Sequence, residues 1–109
     1  MNSLNSILLE GRLTADPDHK VLESGKSVCN FSIASERFYK VDDEHKKEVS
    51  FVKVEVWAGL ADRCNQYLKK GRGVRIVGRI KQHRWVKEGE NQSEIRIVAE
   101  HVEFKPKIY

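Results

Sequence analysis

The sequence is poor in the groupings on which covalent chemistry is built. Its 109 residues include two cysteines, Cys29 and Cys64, with no CxxC pair and no Cys/His spacing suited to zinc, so no metal site is indicated. Both fall on the core faces of expected elements. That reads as buried free thiols in a reducing compartment, a Cys29–Cys64 disulfide being the other arrangement two cysteines allow. The four histidines, His19, His45, His83 and His101, are scattered, and none stands by a Ser, Cys or carboxylate motif. No GxGxxG, Walker-A, HExxH or GxSxG occurs, so neither an enzyme nor a cofactor is expected. The N-terminus, MNSLNSILLEGRL, lacks the cationic lead of a signal or transit peptide. No apolar run approaches the ~20 residues of a membrane span, so no membrane partner is expected and the chain should stay in the cytoplasm. With two prolines, no internal repeat and no Gly/Pro/Ser-rich linker, residues 1–109 read as one small domain.

What is present concentrates between Ser50 and Val86, which reads strand, helix, strand. From Ser50 to Trp57 the residues alternate: Val52, Val54 and Val56 form a core face, and Phe51, Lys53, Glu55 and Trp57 a wet one. Two aromatics among charges are what a stacking platform for unpaired bases needs. The other reading makes Phe51 and Trp57 the cover of a second small core or of a subunit interface. Ala58 to Gly71 then spaces Leu60, Cys64, Tyr67 and Leu68 at helical intervals, with Asp62 in the first turn, Lys69 and Lys70 in the last and Gly71 as C-cap. In the following strand Val74, Ile76, Gly78 and Ile80 face inward. Arg75, Val77, Arg79, Lys81, His83 and Trp85 take the other face. From Lys69 to Lys87 there are eight Lys or Arg and no acid, which leaves twelve basic against sixteen acidic residues elsewhere. The net charge of +4 therefore hides a localised basic stripe, the electrostatic footprint of a polyanion partner. A solvated strand edge guarded by charge is the competing explanation, and it leaves Trp85 without a role.

The flanking chain supplies the remaining strands. Ser6 to Leu13 puts Ile7, Leu9, Gly11 and Leu13 on one face; Asp16-Pro17 breaks it, His19 to Val21 forms a short extended piece, and Ser24-Gly25-Lys26 signals a hairpin. Val28 to Phe38 turns Cys29, Phe31 and Ile33 inward and the small residues Asn30, Ser32 and Ala34 outward, leaving room for a ligand. Lys40 to Glu48 (KVDDEHKKE) and Lys87 to Ser93 (KEGENQS) read as polar loops, the first of them mobile. In the last strand Ile95, Ile97 and Ala99 point inward while Val102 and Phe104 take the opposite parity, which a bulge near Glu100 would explain. Lys105-Pro106-Lys107 closes the domain. Three strands, a helix and two strands predict an all-β fold with one helix: an OB-type, five-stranded Greek-key barrel with the helix between strands 3 and 4. An open antiparallel sheet capped by the helix is the alternative.

Over nearly its full length the chain resembles the bacterial single-stranded DNA-binding proteins. The resemblance lies in an ordered set: Asn5, LEGRL at 9–13, Asp16-Pro17, Gly25, VCNFSIA at 28–34, Phe51, Val54, Trp57, GLA at 59–61, YLKKG at 67–71, Val74, GRI at 78–80 and Trp85. It implies an OB-fold, a homotetramer (a dimer being the other assembly considered), sequence-tolerant wrapping of single-stranded DNA, and a nucleoid-associated place in the cytoplasm. The family's stacking aromatics then fall on Phe51, Trp57, Trp85 and either Phe38, which strand parity favours, or Tyr39, which the spacing from Ala34 favours. Its phosphate-contacting cations look similar to Lys53, Lys70, Lys81 and Arg84, to which the basic stripe adds Arg75 and Arg79. Such proteins typically continue into a flexible tail with an acidic end that docks partners; this sequence stops at PKIY, which reads either as the DNA-binding core of a longer chain or as a short tail-less relative, and only the second reading removes recruitment of partners through a tail.

The mechanism so implied is binding without chemistry, in protection of single strands during replication, recombination and repair. Two other readings use the same residues. One is an OB dimer resembling a replication-restart primosome subunit, acting mainly as a protein adaptor. The other is an OB-type RNA-binding module, since stacking platforms serve RNA equally well.

Overall fold

The computed structural model of the chain describes residues 1–106, so Lys107 of the expected closing segment lies outside the described residues. Seven elements follow in order: β1 (Ile7–Leu13), β2 (Asp18–Val21), β3 (Ser27–Val41), β4 (Glu44–Trp57), α1 (Ala58–Tyr67), β5 (Gly73–Lys87) and β6 (Glu90–Phe104). The strands lie in the order β1-β5-β6-β4-β3-β2, and a further β1–β3 pairing closes β1, β5, β6, β4 and β3 into a five-stranded barrel with β2 added outside β3. All pairings are antiparallel except β4 with β6. The helix falls between the third and fourth barrel strands and packs on β2, β3 and β4. This is the expected OB-fold.

Period-two alternation fills the barrel. Cys29, Phe31 and Ile33 of β3, Val54 and Val56 of β4 and Val74 and Ile76 of β5 are buried together with Leu13, Ile97, Ala99 and Val102. Ala61 and Cys64 of α1, and Leu68 just beyond it, belong to the same core. Asn5, one of the residues that carry the family resemblance, has structural work here. Its side-chain amide donates to the Ile80 carbonyl (2.8 Å) and accepts from the Ile80 N–H (2.9 Å), which continues the β1–β5 ladder one step past the strand end.

The expected bulge is present. Val77 pairs with His101 and Gly78 with Ala99, which leaves Glu100 between them without a partner and reverses the inward parity of β6.

Elsewhere the structure departs from the sequence expectation. The Lys40–Glu48 and Lys87–Ser93 segments are not loops: β3–β4 and β5–β6 are long hairpin arms, paired out to Val41–Glu44 and Lys87–Glu90. They close through Asp42-Asp43 (φ 48° and 66°) and Glu88-Gly89 (φ 52° and 77°), the paired left-handed residues of a tight hairpin turn. Both faces of an arm beyond the barrel are wet, so no hydrophobic alternation marks these strands in the sequence. For the same reason Ile80 and Ile95, expected inside, are 45% and 58% exposed. The helix ends at Tyr67 rather than near Gly71, and neither Asp62 in its first turn nor Lys69 and Lys70 in its last is observed. Leu68 adopts an extended conformation and drops into the core, and Gly71 (φ 89°) donates its N–H to the Leu13 carbonyl. Tertiary packing has overridden a continuing helical pattern. Tyr67, placed on the helix's core side by its spacing, is half exposed and tilts against Phe104. Asp62 instead lies 2.9 Å from the His19 imidazole of β2.

Cys29 and Cys64 are free thiols with no solvent exposure. Burial, followed by the nearby Asp18 carboxylate, pushes Cys29 up to about 11. Burial, followed by the neighbouring Cys29 and against a small opposing effect of Arg63, pushes Cys64 up to about 12. The thiolate is the reactive form, so at pH 8 neither thiol should react with a disulfide reagent in the folded protein. Both should titrate at once in denaturant. Rapid reaction of either in native buffer would show that the barrel opens far more readily than its packing implies.

Candidate nucleic-acid interface

The β3–β4 register decides which side chains meet. Val28 lies opposite Trp57, Asn30 opposite Glu55, Ser32 opposite Lys53, Ala34 opposite Phe51, Glu36 opposite Val49 and Phe38 opposite Lys47. Partners across a ladder point the same way, so Phe38, Phe51, Lys53, Glu55 and Trp57 share the outer face, with the small residues Asn30, Ser32 and Ala34 between them. Phe38 and Phe51 are 71% and 73% exposed. Such exposure of two large rings on one surface is unusual for a side chain with only structural duties. The Lys47 ammonium stands 5.9 Å over the Phe38 ring. Tyr39 has the opposite parity and lies on the reverse of the arm, with the Arg37 guanidinium 4.7 Å over its ring. Trp57 ends β4, and the chain turns into α1 through Ala58, whose φ of 58° is left-handed, a conformation alanine adopts at a cost.

The β5–β6 register extends this face. Arg79, Lys81, His83 and Trp85 stand opposite Val98, Arg96, Glu94 and Gln92. His83 and Trp85 stack, ring centroids 5.4 Å apart and 30° between planes. Carboxylates join the two halves. Glu55 accepts the Trp57 indole N–H at Oε1 (2.6 Å), the Lys81 ammonium at Oε1 (3.3 Å) and Arg96 Nη1 at Oε2 (3.4 Å). Glu94 accepts Lys53 and Arg96 Nε, each at 2.7 Å. Aromatics and cations of β4, β5 and β6 thus form one continuous surface.

Glu55 is the exception on that surface. Expected among the wet residues, it is only 3% exposed. Burial pushes its carboxyl up, but the hydrogen bonds from Trp57, Lys81 and Arg96 and the Lys81 charge outweigh this and hold it below the ordinary glutamate value. Lys53 and then Arg96, through hydrogen bonds and charge, hold Glu94 low in the same way.

Of the residues singled out in the sequence, the structure brings together Phe38, Phe51, Trp57, Trp85, Lys53, Arg79 and Lys81. No carboxylate among the described residues pairs with Arg79. Arg84 is on the reverse of the β5 arm, donating to Gln82 (2.6 Å). Arg75 is engaged from both flanks of β5, by Glu10 of β1 (3.2 Å) and Glu103 of β6 (3.5 Å). Lys70 stands apart, in the turn after α1, where its backbone N–H donates to Asp16 (2.8 Å). It lines a broad cleft with Arg12, Lys69 and Arg72. Sequence reasoning assigns no binding role to Arg96, Glu94 or His83. Arg96 lies outside the acid-free segment, yet its position between Ile95 and Ile97 in an alternating strand already turns it outward.

A barrel closed by β1 on β3, with a helix between its third and fourth strands, defines an OB-fold module, and its exposed aromatic and cationic strand face has the make-up that stacking on unpaired bases needs. Residues 4–105 match the single-strand binding protein family, and the chain belongs to it. The single-stranded DNA-binding protein of Treponema pallidum is 36% identical over 103 residues, covering 94% of this chain and 58% of that protein. That of Aquifex aeolicus is 38% identical over 100 residues, covering 91% of this chain and 68% of that protein. The chain therefore spans about three-fifths of the length of these curated relatives. Among solved structures, a Plasmodium falciparum SSB in complex with ssDNA superposes with a TM-score of 0.87 at 28% identity, over 97% of this chain and 98% of that one. Among the described residues no helix is long and apolar enough to cross a membrane.

Proposed function

We propose that the chain binds single-stranded DNA with little sequence preference, by stacking bases on Phe38, Phe51, Trp57 and Trp85 and holding phosphates with Lys53, Arg79, Lys81 and Arg96. The observation that carries this is the common outward face of those four aromatics, with cations between them. Every base has a π-face and every nucleotide a phosphate, so such a surface tolerates any sequence, while duplex DNA hides its base faces. No covalent step is involved. From the family to which the chain belongs we propose in addition that it protects single strands in replication, recombination and repair, in the cytoplasm at the nucleoid, and that it assembles as a homotetramer. The Plasmodium falciparum relative seen with ssDNA and the names of the bacterial relatives support it.

The test is a titration with oligothymidylate at several salt concentrations, followed by tryptophan fluorescence, with duplex DNA as the control. Strong quenching by the single strand alone is expected. Four cations reaching phosphates give a slope of log affinity against log salt of about −3 per protomer, at ~0.7 per phosphate. Equal affinity for duplex and single strand would end the proposal.

A further inference from the structure

A carboxylate in the middle of a phosphate-binding face works against binding, and Glu55 therefore needs another reason to be there. Its neighbours on the same strand face, Lys53 and Phe51, are exposed, yet it is 3% exposed and both of its oxygens are engaged. The shortest of its contacts is to the Trp57 indole N–H, at 2.6 Å. An indole has one donor, at the edge of the ring. Holding that edge sets the ring's orientation while leaving its π-face free. Lys81 and Arg96 reach the carboxylate from β5 and β6 and fix the acceptor in turn.

The geometry points to Glu55 as the positioning residue of the Trp57 stacking platform: its carboxylate clamps the indole edge so that the ring is set before a base arrives. The inference rests on the stacking role proposed above for Trp57. An unclamped ring must be ordered on binding, and that ordering opposes affinity. Glu55 touches no nucleotide in this scheme. It acts through Trp57, and a residue that merely tempered the charge of Lys81 and Arg96 would have the opposite effect, since its removal would raise the positive potential that those two cations present to phosphates.

Four variants separate these possibilities, three single changes and one double. Glu55→Gln keeps an acceptor and drops the charge; Glu55→Val drops both; Trp57→Phe keeps a ring and drops the donor. Affinity is read by anisotropy of a labelled oligothymidylate. The indole N–H of Trp57 is read by NMR in a Trp85→Phe background, where it is the one tryptophan left. Glu55→Gln should retain a hydrogen-bonded indole signal and bind within about threefold of wild type. Glu55→Val and Trp57→Phe should each bind about tenfold more weakly, the scale of one hydrogen bond to a charged group. Combined, they should be no weaker than either alone, because both remove the same bond. Should Glu55→Val not fold, Trp57→Phe and Glu55→Gln still decide the question. Tighter binding by Glu55→Gln, a loss in Glu55→Gln as large as that in Trp57→Phe, full affinity in Trp57→Phe, or additive losses in the double variant would each overturn the assignment. The underlying stacking role fails by a different result: unchanged affinity when Trp57 is replaced by alanine.

Discussion

Replacing Trp57 and Trp85 together with alanine is expected to weaken oligothymidylate binding about a hundredfold or more, since base–aromatic stacking contributes ~1–3 kcal/mol per base. The fold should survive, because neither ring belongs to the buried core, and Trp85 sits on an arm beyond the barrel. Phe38→Ala and Phe51→Ala make the cleaner companions: both rings are largely exposed, so their loss touches binding and leaves packing alone. Tyr39→Ala and Arg84→Ala are the internal controls. They lie on the reverse faces of the two arms, and each should cost less than the change at its neighbour, Phe38 or Trp85. Circular dichroism on each variant separates lost binding from lost structure. An intact double tryptophan variant that still bound with wild-type affinity would remove the aromatic face from the mechanism and hand it to a protein interface.

Parity explains why this surface is legible in the sequence. In β4 the alternation of Val52, Val54 and Val56 with Phe51, Lys53 and Trp57 is unbroken, and the barrel keeps it. The bulge at Glu100 is legible because the apolar residues on either side of it disagree in parity and one skipped residue restores them. The arms are illegible for the complementary reason. A strand with water on both faces leaves no periodic trace, and Asp42-Asp43 does not advertise a left-handed turn as Asn-Gly would. Glu55 stands on the face that alternation gives it, yet its burial is the reverse of what that face suggests. Alternation tells which way a side chain points, and only the meeting of Trp57, Lys81 and Arg96, drawn from three strands, tells what covers it.

The glycines of LEGRL and GRI carry a second large expectation, this time for stability. A methyl group at Gly78 would lie 2.2 Å from the Val98 carbonyl oxygen and 3.1 Å from the Ala99 Cα; one at Gly11 would lie 2.6 Å from the Ala34 carbonyl oxygen. In each case the obstacle is backbone of a neighbouring strand, which cannot swing aside as a side-chain tip can. At Gly78 that backbone is pushed close by the bulge at Glu100, on the adjacent residue pair. At Gly11 it is β3, where β1 crosses to close the barrel. Gly78→Ala should therefore destabilise the protein by about 3 kcal/mol or more, at or beyond the upper end of ordinary overpacking, and Gly11→Ala by somewhat less. Gly59 is the counter-case. It lies in α1 with nothing within 4 Å of an added methyl, so Gly59→Ala should stabilise by roughly 0.5–1 kcal/mol through helix propensity and reduced chain entropy. Urea denaturation of the three variants beside wild type measures all of this in one series. A Gly78→Ala midpoint indistinguishable from wild type would mean that β6 can move away from β5 at little cost. The register holding Lys81 opposite Arg96 and Trp85 opposite Gln92 would then be soft, and the binding face with it.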